Sequence, residues 1–190
     1  MIKYAKVINN ETGLCEVGLG TKTAFYKAQG MKELDVEQSE INNNWYLSEL
    51  CPHKTDEEKL QEAKQAKYNE ANNKAKEFLE NGSALYEFEE GKHIEATDGN
   101  IAKMTAYALA FVTGQLQPSD TVLWNTKEDE TVSLNQTQIA QIIEGLGQVQ
   151  ASVWAVKFPA YVQAIETAQT VEEVNEIIID YTIEIESEEE

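Results

Sequence analysis

The chain contains no arginine, and positive charge of any kind is scarce. Its 15 lysines stand against 34 acidic residues among 190, which gives a formal net charge of −19 at pH 7. Nucleic acids and anionic membranes are polyanions, which proteins meet with Lys and Arg side chains. This composition therefore excludes bare nucleic acid and membrane surfaces as obvious partners, and we expect neither.

The charge imbalance is concentrated toward the end of the chain. Residues 83–190 hold 20 acidic residues against 4 lysines, whereas residues 1–82 hold 14 against 11. Five of the last eight residues, 183–190, are acidic and none is basic. A block of like charge of this kind repels itself, so the sequence predicts a disordered acidic tail.

Cysteine, histidine and long apolar runs are also scarce. Cys15 and Cys51 do not make a disulfide framework. With two histidines and no Cys-x-x-Cys spacing, no metal site is expected. No apolar run reaches the roughly 18 residues of a membrane span, and the first residues lack the apolar region of a signal peptide. We expect a protein made in the cytoplasm, without metal or other cofactor.

Residues 1–52 have the pattern of a small α+β docking module. Alternating polarity, a turn signal and a second apolar stretch predict a β-hairpin at its start. The predicted elements are strands at 2–8 and 14–19, a short helix from Thr23, and strands at Val36 and at 45–47.

Residues 53–82 predict one connector helix. Thr55, followed three residues later by Glu58, matches a capping box. The rest is rich in Glu, Lys, Gln and Ala, which are strong helix formers, and its apolar side is thin. The pattern favours a solvated connector, and a coiled coil with a partner chain is the alternative.

Residues 83–182 predict a mainly helical domain with two short β-hairpins. Ser133 with Gln136 suggests a capping box before the longest helix, and Gly145 and Gly147 in that helix suggest a close neighbouring helix. Pro159 is expected to break or kink it. A last short helix begins after Thr170 and is predicted to carry Ile177 and Ile178. The fold class is therefore α+β: a small N-terminal β-hairpin module, a connector helix and a mainly helical C-terminal domain.

No motif of the sequence predicts a catalytic centre. The stretch at 18–21 lacks the Gly-Lys-Ser/Thr ending of a phosphate loop, and the Glu residues at 87–95 lack the calcium-loop pattern. We expect no catalytic, cofactor-binding or metal-binding residue. Aromatic side chains are enriched at protein interfaces, so apolar residues of the first two segments are the candidate partner interface. These candidates are Phe25, Tyr26, Trp45, Tyr46, Leu60 and Phe78.

Two groups of motifs resemble proteins of phages and prophages of Gram-positive gut bacteria. The first half resembles the openings of small tail-region proteins through 2–8, 13–18, Phe25-Tyr26, Gly30-Met31, 35–38 and 45–47. The second half resembles an uncharacterised domain common in phage tail-associated proteins through Tyr86-x-Phe88, Asp98, 122–124, Thr131-Val132-x-Leu134 and Ala168-x-Thr170-Val171-x-x-Val174. The resemblance implies a virion or assembly context and no particular reaction.

These observations lead to three functional expectations. The first is a non-enzymatic phage tail component, a baseplate- or fibre-associated structural or adaptor protein. Such a protein would be synthesised in the host cytoplasm, reside in the virion and bind other phage tail proteins, with homo-oligomerisation left open. The second is an assembly chaperone for tail or fibre proteins. The third is an acidic mimic of nucleic acid that inhibits a host defence nuclease, since regularly spaced carboxylates can imitate phosphates.

Overall fold

The computed structural model describes residues 1–21 and 23–182. The predicted acidic tail, 183–190, lies outside the described residues. The chain divides into two compact units, Met1–Gln61 and Glu62–Glu190, which we call the first unit and the second unit. The α+β class, with a small N-terminal strand module and a mainly helical C-terminal region, is confirmed. Among the described residues, no helix combines the length and the apolar character needed to cross a bilayer.

The first unit is a four-stranded antiparallel sheet that closes on itself. The strand order is β1-β2-β4-β3, and β3 pairs back with β1. Ala5, Cys15 and Val36 fill the interior, one residue from each of three strands. The elements are β1 (Ile2–Asn9), β2 (Leu14–Val17), α1 (Thr23–Ala28), β3 (Lys32–Gln38) and β4 (Trp45–Leu47).

The predicted hairpin of β1 and β2 is present, and its turn residues explain why it forms. The side-chain oxygen of Asn9 accepts hydrogen bonds from the backbone N–H groups of Glu11, at 2.9 Å, and Thr12, at 3.1 Å. Gly13 then has a φ of 72°, a conformation that glycine adopts without a steric cost. These local bonds reverse the chain and set the register of β2 against β1.

The long helix α2 (Asp56–Glu80) begins at the predicted capping box. The Thr55 hydroxyl accepts from the N–H of Glu58 at 3.1 Å, and the Glu58 carboxylate accepts from the N–H of Thr55 at 2.8 Å. Two of the unpaired donors at the helix start are satisfied in this way.

Helix α2 differs from the solvated connector that the sequence favours. Ala71, Ala75 and Leu79, spaced four residues apart, are buried in the core of the second unit. The boundary between the two compact units falls after Gln61, inside the helix. Small alanine side chains cause the difference: they give a weak apolar signal in sequence, yet they allow close packing.

The second unit combines two hairpins with packed helices. Its core is one cluster that includes the fully buried Met104, Leu134, Ile139, Ile142 and Leu146. Besides α2, the elements are β5 (Leu85–Glu89), β6 (Lys92–Glu95), α3 (Asp98–Val112), β7 (Val122–Asn125), β8 (Thr131–Leu134), α4 (Gln136–Ala151), α5 (Phe158–Thr167) and α6 (Val171–Glu176).

The N-cap of helix α4 lies two residues after the predicted position. Asn135 is the N-cap residue: its side chain accepts from the N–H of Gln138 at 3.0 Å, and the Gln138 side chain accepts from the N–H of Asn135 at 3.1 Å. The predicted cap, Ser133, lies inside β8 and donates its hydroxyl to Thr121 at 2.8 Å. The strand extends further than its polar residues suggest, so the box forms at the next suitable pair.

The predicted break or kink at Pro159 takes the form of a π-helical turn, Ser152–Lys157, which joins α4 to α5. The N–H of Phe158 donates to the carbonyl of Val153, five residues back. In a regular α-helix the proline ring would clash with the carbonyl four residues earlier. The wider turn gives the ring room, and the chain continues as a helix.

The neighbour of Gly145 is an aromatic ring and not the predicted helix. A Cβ atom built on Gly145 would overlap the ring of Tyr86 from β5, whereas a Cβ on Gly147 would meet no heavy atom within 4 Å. Gly145 therefore admits the Tyr86 ring against the face of α4, and Gly147 has no comparable role.

Candidate functional site

The aromatic residues predicted for a partner interface in the first unit have different environments. Phe25 is 57% exposed on α1, with its ring centroid 5.6 Å from that of Tyr26. Tyr26 is half-buried, stacks on Tyr4 at 6.3 Å and accepts a hydrogen bond from the N–H of Gly20 at 2.8 Å. Phe25 is therefore available to a partner, while Tyr26 supports the loop beside it.

The two predicted interface residues of β4 are mostly occupied within the unit. Trp45 is half-buried against the interior of the closed sheet, and the Lys3 ammonium lies 4.3 Å from its ring centroid. Tyr46 is buried, and its hydroxyl accepts from the Asn42 side chain at 2.9 Å. Both rings therefore serve first to hold the strand in place.

The two predicted interface residues of α2 are both half-buried. Phe78 packs against the core of the second unit, where it stacks on Tyr181 at 6.3 Å between ring centroids. Leu60 belongs to the first unit. Of the six candidates, Phe25 alone has a largely exposed side chain.

The most elaborate polar arrangement of the second unit holds residues 177–181, which we call the strap. Helix α6 ends at Glu176, so the predicted helical position of Ile177 and Ile178 is wrong. Alternate backbone carbonyls of the strap each accept a hydrogen bond from a lysine ammonium. The three pairs are Lys67 with Ile177 at 3.3 Å, Lys74 with Ile179 at 3.1 Å, and Lys157 with Tyr181 at 2.8 Å.

Glu70 orients two of these lysines. Its carboxylate oxygens lie 3.0 Å from the ammonium groups of both Lys67 and Lys74. The two lysines lie one helical turn before and one helical turn after Glu70 along α2. Hydrogen bonds from Lys74 and Lys67 lower the pKa of the Glu70 carboxyl below its usual value. Ion pairs at this helical spacing limit the motion of the long lysine side chains, which favours the bonds to the strap.

Tyr181 fixes the end of the strap in the core. Its ring is 3% exposed and lies edge-on to Tyr161, with 5.4 Å between centroids, as well as stacking on Phe78. The Tyr181 hydroxyl donates to the carbonyl of Ala71 at 3.0 Å. Burial, followed by the influence of Tyr161, raises the pKa of Tyr181 to about 12, so the hydroxyl keeps its proton and remains a donor.

Helix α3 presents an exposed face without charge. Leu109 is 59% exposed and Val112 is 78% exposed, although both are large and apolar. The remaining exposed positions of this face are small or neutral: Ala102, Thr105 and Ala106. From residue 99 to residue 119 Lys103 is the sole charged residue. This face lacks acidic residues, although the chain as a whole has a net charge of −19.

Three potential metal ligands converge in the first unit. Glu37 from β3, Cys51 and His53 each offer one ligand atom, and these atoms lie within 4.8 Å of one another. The Glu37 carboxylate is 3.9 Å from Nε2 of His53. Burial raises the pKa of the Cys51 thiol, and the nearby carboxylates of Glu37 and Glu40 raise it further. Cys51 and His53 are close in sequence, and the fold adds Glu37, which sequence reasoning missed.

Hydrogen bonds between Glu128 and His93 link the two hairpins of the second unit. Glu128, in the β7–β8 turn, accepts hydrogen bonds from the backbone N–H of His93 at 3.0 Å and lies 2.8 Å from Nδ1 of the same residue. The hydrogen bond from the His93 backbone N–H is the main cause that lowers the pKa of the Glu128 carboxyl to about 2. The carboxylate therefore stays charged well into the acid range.

The low pKa of Glu128 predicts a defined acid dependence of stability. A carboxyl group whose pKa is lower in the folded state stabilises the fold above its ordinary value of 4.5. That stabilisation is lost as the pH falls from about 4.5 to about 2. We expect Glu128→Gln to lower the urea midpoint at pH 6, and the difference from the unchanged protein to shrink toward pH 2. Equilibrium unfolding in urea at four or five pH values measures the difference in midpoint between the two proteins.

The control for this prediction is Glu144→Gln, a substitution of an exposed carboxylate on α4. It should not reproduce the pH-dependent difference. An NMR titration that finds the Glu128 carboxyl protonating near 4.5 would contradict the prediction directly.

Comparisons of the chain with protein-family models, with curated proteins and with solved structures found no match. The resemblance to phage tail-region proteins therefore stays an expectation, and any function rests on the chain's own residues.

Proposed function

We propose that the chain is a non-enzymatic phage tail component, an adaptor that binds other tail proteins in the virion. The observation that carries the proposal is the uncharged, exposed face of α3. Exposed apolar side chains that lie together on one surface are typical of protein interfaces, whose centres are depleted of charge. The face lies in residues 83–190, where acidic residues otherwise dominate. A partner that docks on this face does not have to remove water from carboxylate groups, which would cost free energy.

The division of the chain into two compact units also supports an adaptor. Each unit has its own hydrophobic core. Each also carries a separate exposed apolar feature, Phe25 in the first unit and the α3 face in the second. Two independent surfaces allow one protein to bind two partners.

The experiment is targeted mass spectrometry of purified phage particles that carry Val112→Glu or Ile178→Glu. Val112 and Ile178 are both 78% exposed, so the two variants place the same charge at equally exposed sites of the second unit. Loss of one buried valine contact, at about 1.5–3 kcal/mol, corresponds to at least tenfold weaker binding. We expect Val112→Glu to reduce the copy number per particle about tenfold, and Ile178→Glu to leave it unchanged.

Two outcomes would overturn this proposal. If particles of the phage without any substitution never contain the chain, it is not a tail component. Its recovery with unassembled tail proteins from the lysate would then favour the role of assembly chaperone. If the particles contain it and both variants are incorporated equally, the α3 face does not bind the tail.

A further inference from the structure

We propose that Glu37, Cys51 and His53 form a binding site for a divalent transition-metal ion such as Zn²⁺. The three side chains supply a carboxylate, a thiol and an imidazole, the three donor types that zinc sites use. Their ligand atoms already lie within 4.8 Å of one another. In a tetrahedral zinc site with bonds of about 2.0–2.3 Å, neighbouring donor atoms are roughly 3.3–3.8 Å apart. Shifts of about 1 Å in exposed side chains close the difference.

The backbone around the cluster is tied in place on both sides of His53. The buried hydroxyl of Ser39 donates to the carbonyl of Pro52 at 2.7 Å. On the other side, the N–H of Lys54 donates to the carboxylate of Glu40 at 2.8 Å. Both bonds join the 51–54 segment to residues just beyond the end of β3. The segment that carries two ligands is therefore fixed beside the strand that carries the third.

The exposure of the ligands suits metal binding. Cys51 is 8% exposed and anchors the cluster from inside. The side chains of His53 and Glu37 are 50% and 48% exposed, so they can turn toward an ion without disturbing the interior.

The donor set also indicates which metals fit. Thiolate and imidazole ligands favour zinc and similar transition metals, whereas calcium and magnesium require oxygen ligands. Three protein ligands leave the fourth tetrahedral position for water. An ion bound only in the folded state stabilises that state by mass action, so the metal would raise the unfolding temperature of the first unit. This role is independent of the proposed tail function.

The test uses the full-length, reduced protein after removal of metals with a chelator, titrated with Zn²⁺ by isothermal calorimetry. We expect one equivalent to bind to the unchanged protein. Glu37→Gln, His53→Gln and Cys51→Ser should each weaken that binding at least tenfold. Ser39→Ala removes the hydrogen bond to the Pro52 carbonyl but leaves all three ligands in place. It should weaken Zn²⁺ binding 10- to 100-fold, because Ser39 positions the segment that carries two of the ligands.

Matched controls exist for two of the ligands. Cys15→Ser changes the other cysteine of the same unit, and His93→Gln changes the other histidine of the chain. Both should bind Zn²⁺ as the unchanged protein does. Circular dichroism verifies folding, and the exposed positions of Glu37 and His53 keep the test informative if Cys51→Ser unfolds. Absence of a stoichiometric site, or equal losses in the ligand variants and the controls, would overturn the proposal.

Discussion

Replacement of Tyr181 by alanine is expected to destabilise the second unit by about 3–5 kcal/mol, the range for loss of a buried aromatic ring. The ring is 3% exposed, contacts Phe78 and Tyr161, and its hydroxyl satisfies the carbonyl of Ala71. Alanine would leave a cavity between α2 and α5 and would release the end of the strap. The bonds from Lys67, Lys74 and Lys157 to backbone carbonyls of the strap do not involve the ring and would remain.

The measurement is urea unfolding of the Trp45→Phe protein, in which the remaining fluorescence comes from Trp124 and Trp154 of the second unit. Ile178→Ala is the control, because its side chain is 78% exposed in the middle of the same strap. It should change the unfolding free energy by less than about 0.5 kcal/mol. Tyr181→Phe, which removes the hydroxyl alone, should cost about 0.5–1.5 kcal/mol. A loss below about 1 kcal/mol for Tyr181→Ala would contradict burial of the ring.

Alanine substitutions at Gly145 and Gly147 are expected to change stability in opposite directions. In a helix, alanine is favoured over glycine by about 1 kcal/mol. Gly147→Ala should gain up to that amount, since a Cβ there meets no heavy atom within 4 Å. Gly145→Ala should instead lose about 1–3 kcal/mol, because the new methyl group overlaps the Tyr86 ring and the core must shift.

The same unfolding measurement distinguishes the two glycine variants. The further substitution Tyr86→Ala tests whether the Tyr86 ring causes the loss of stability in Gly145→Ala. In a Tyr86→Ala background the ring is gone, so Gly145→Ala should lose most of its penalty. Stabilisation by Gly145→Ala in the unchanged background would show that Tyr86 does not pack against this glycine.

The local elements of the fold could be predicted because their signals are short-range. The Thr55–Glu58 box and the turn between the first two strands both form within a few residues, and the structure has each of them. The cap of α4 was missed by two residues, since Ser133 and Asn135 both suit a cap and strand length decides between them.

The long-range features could not be predicted, because their partners are distant in sequence. Lys67 and Ile177 are separated by 110 positions, and a lysine in a polar helix gives no sign that its ammonium binds a particular carbonyl. The proposed ligand set of Glu37, Cys51 and His53 could not be predicted for a similar reason. Glu37 lies 14 residues before Cys51, and the pairing of β3 with β4 brings the two regions together.

The position of the strap has a consequence for how the chain folds during its synthesis. The core of the second unit includes both Ala71 and Tyr181, which are 110 residues apart, so it cannot be completed until Tyr181 has left the ribosome. The first unit ends at residue 61, so all of it can leave the ribosome while the rest is still being translated. During that interval α2 can pack on the earlier members of the core, such as Met104 and Leu146, while the place of the Tyr181 ring beside Phe78 stays unfilled.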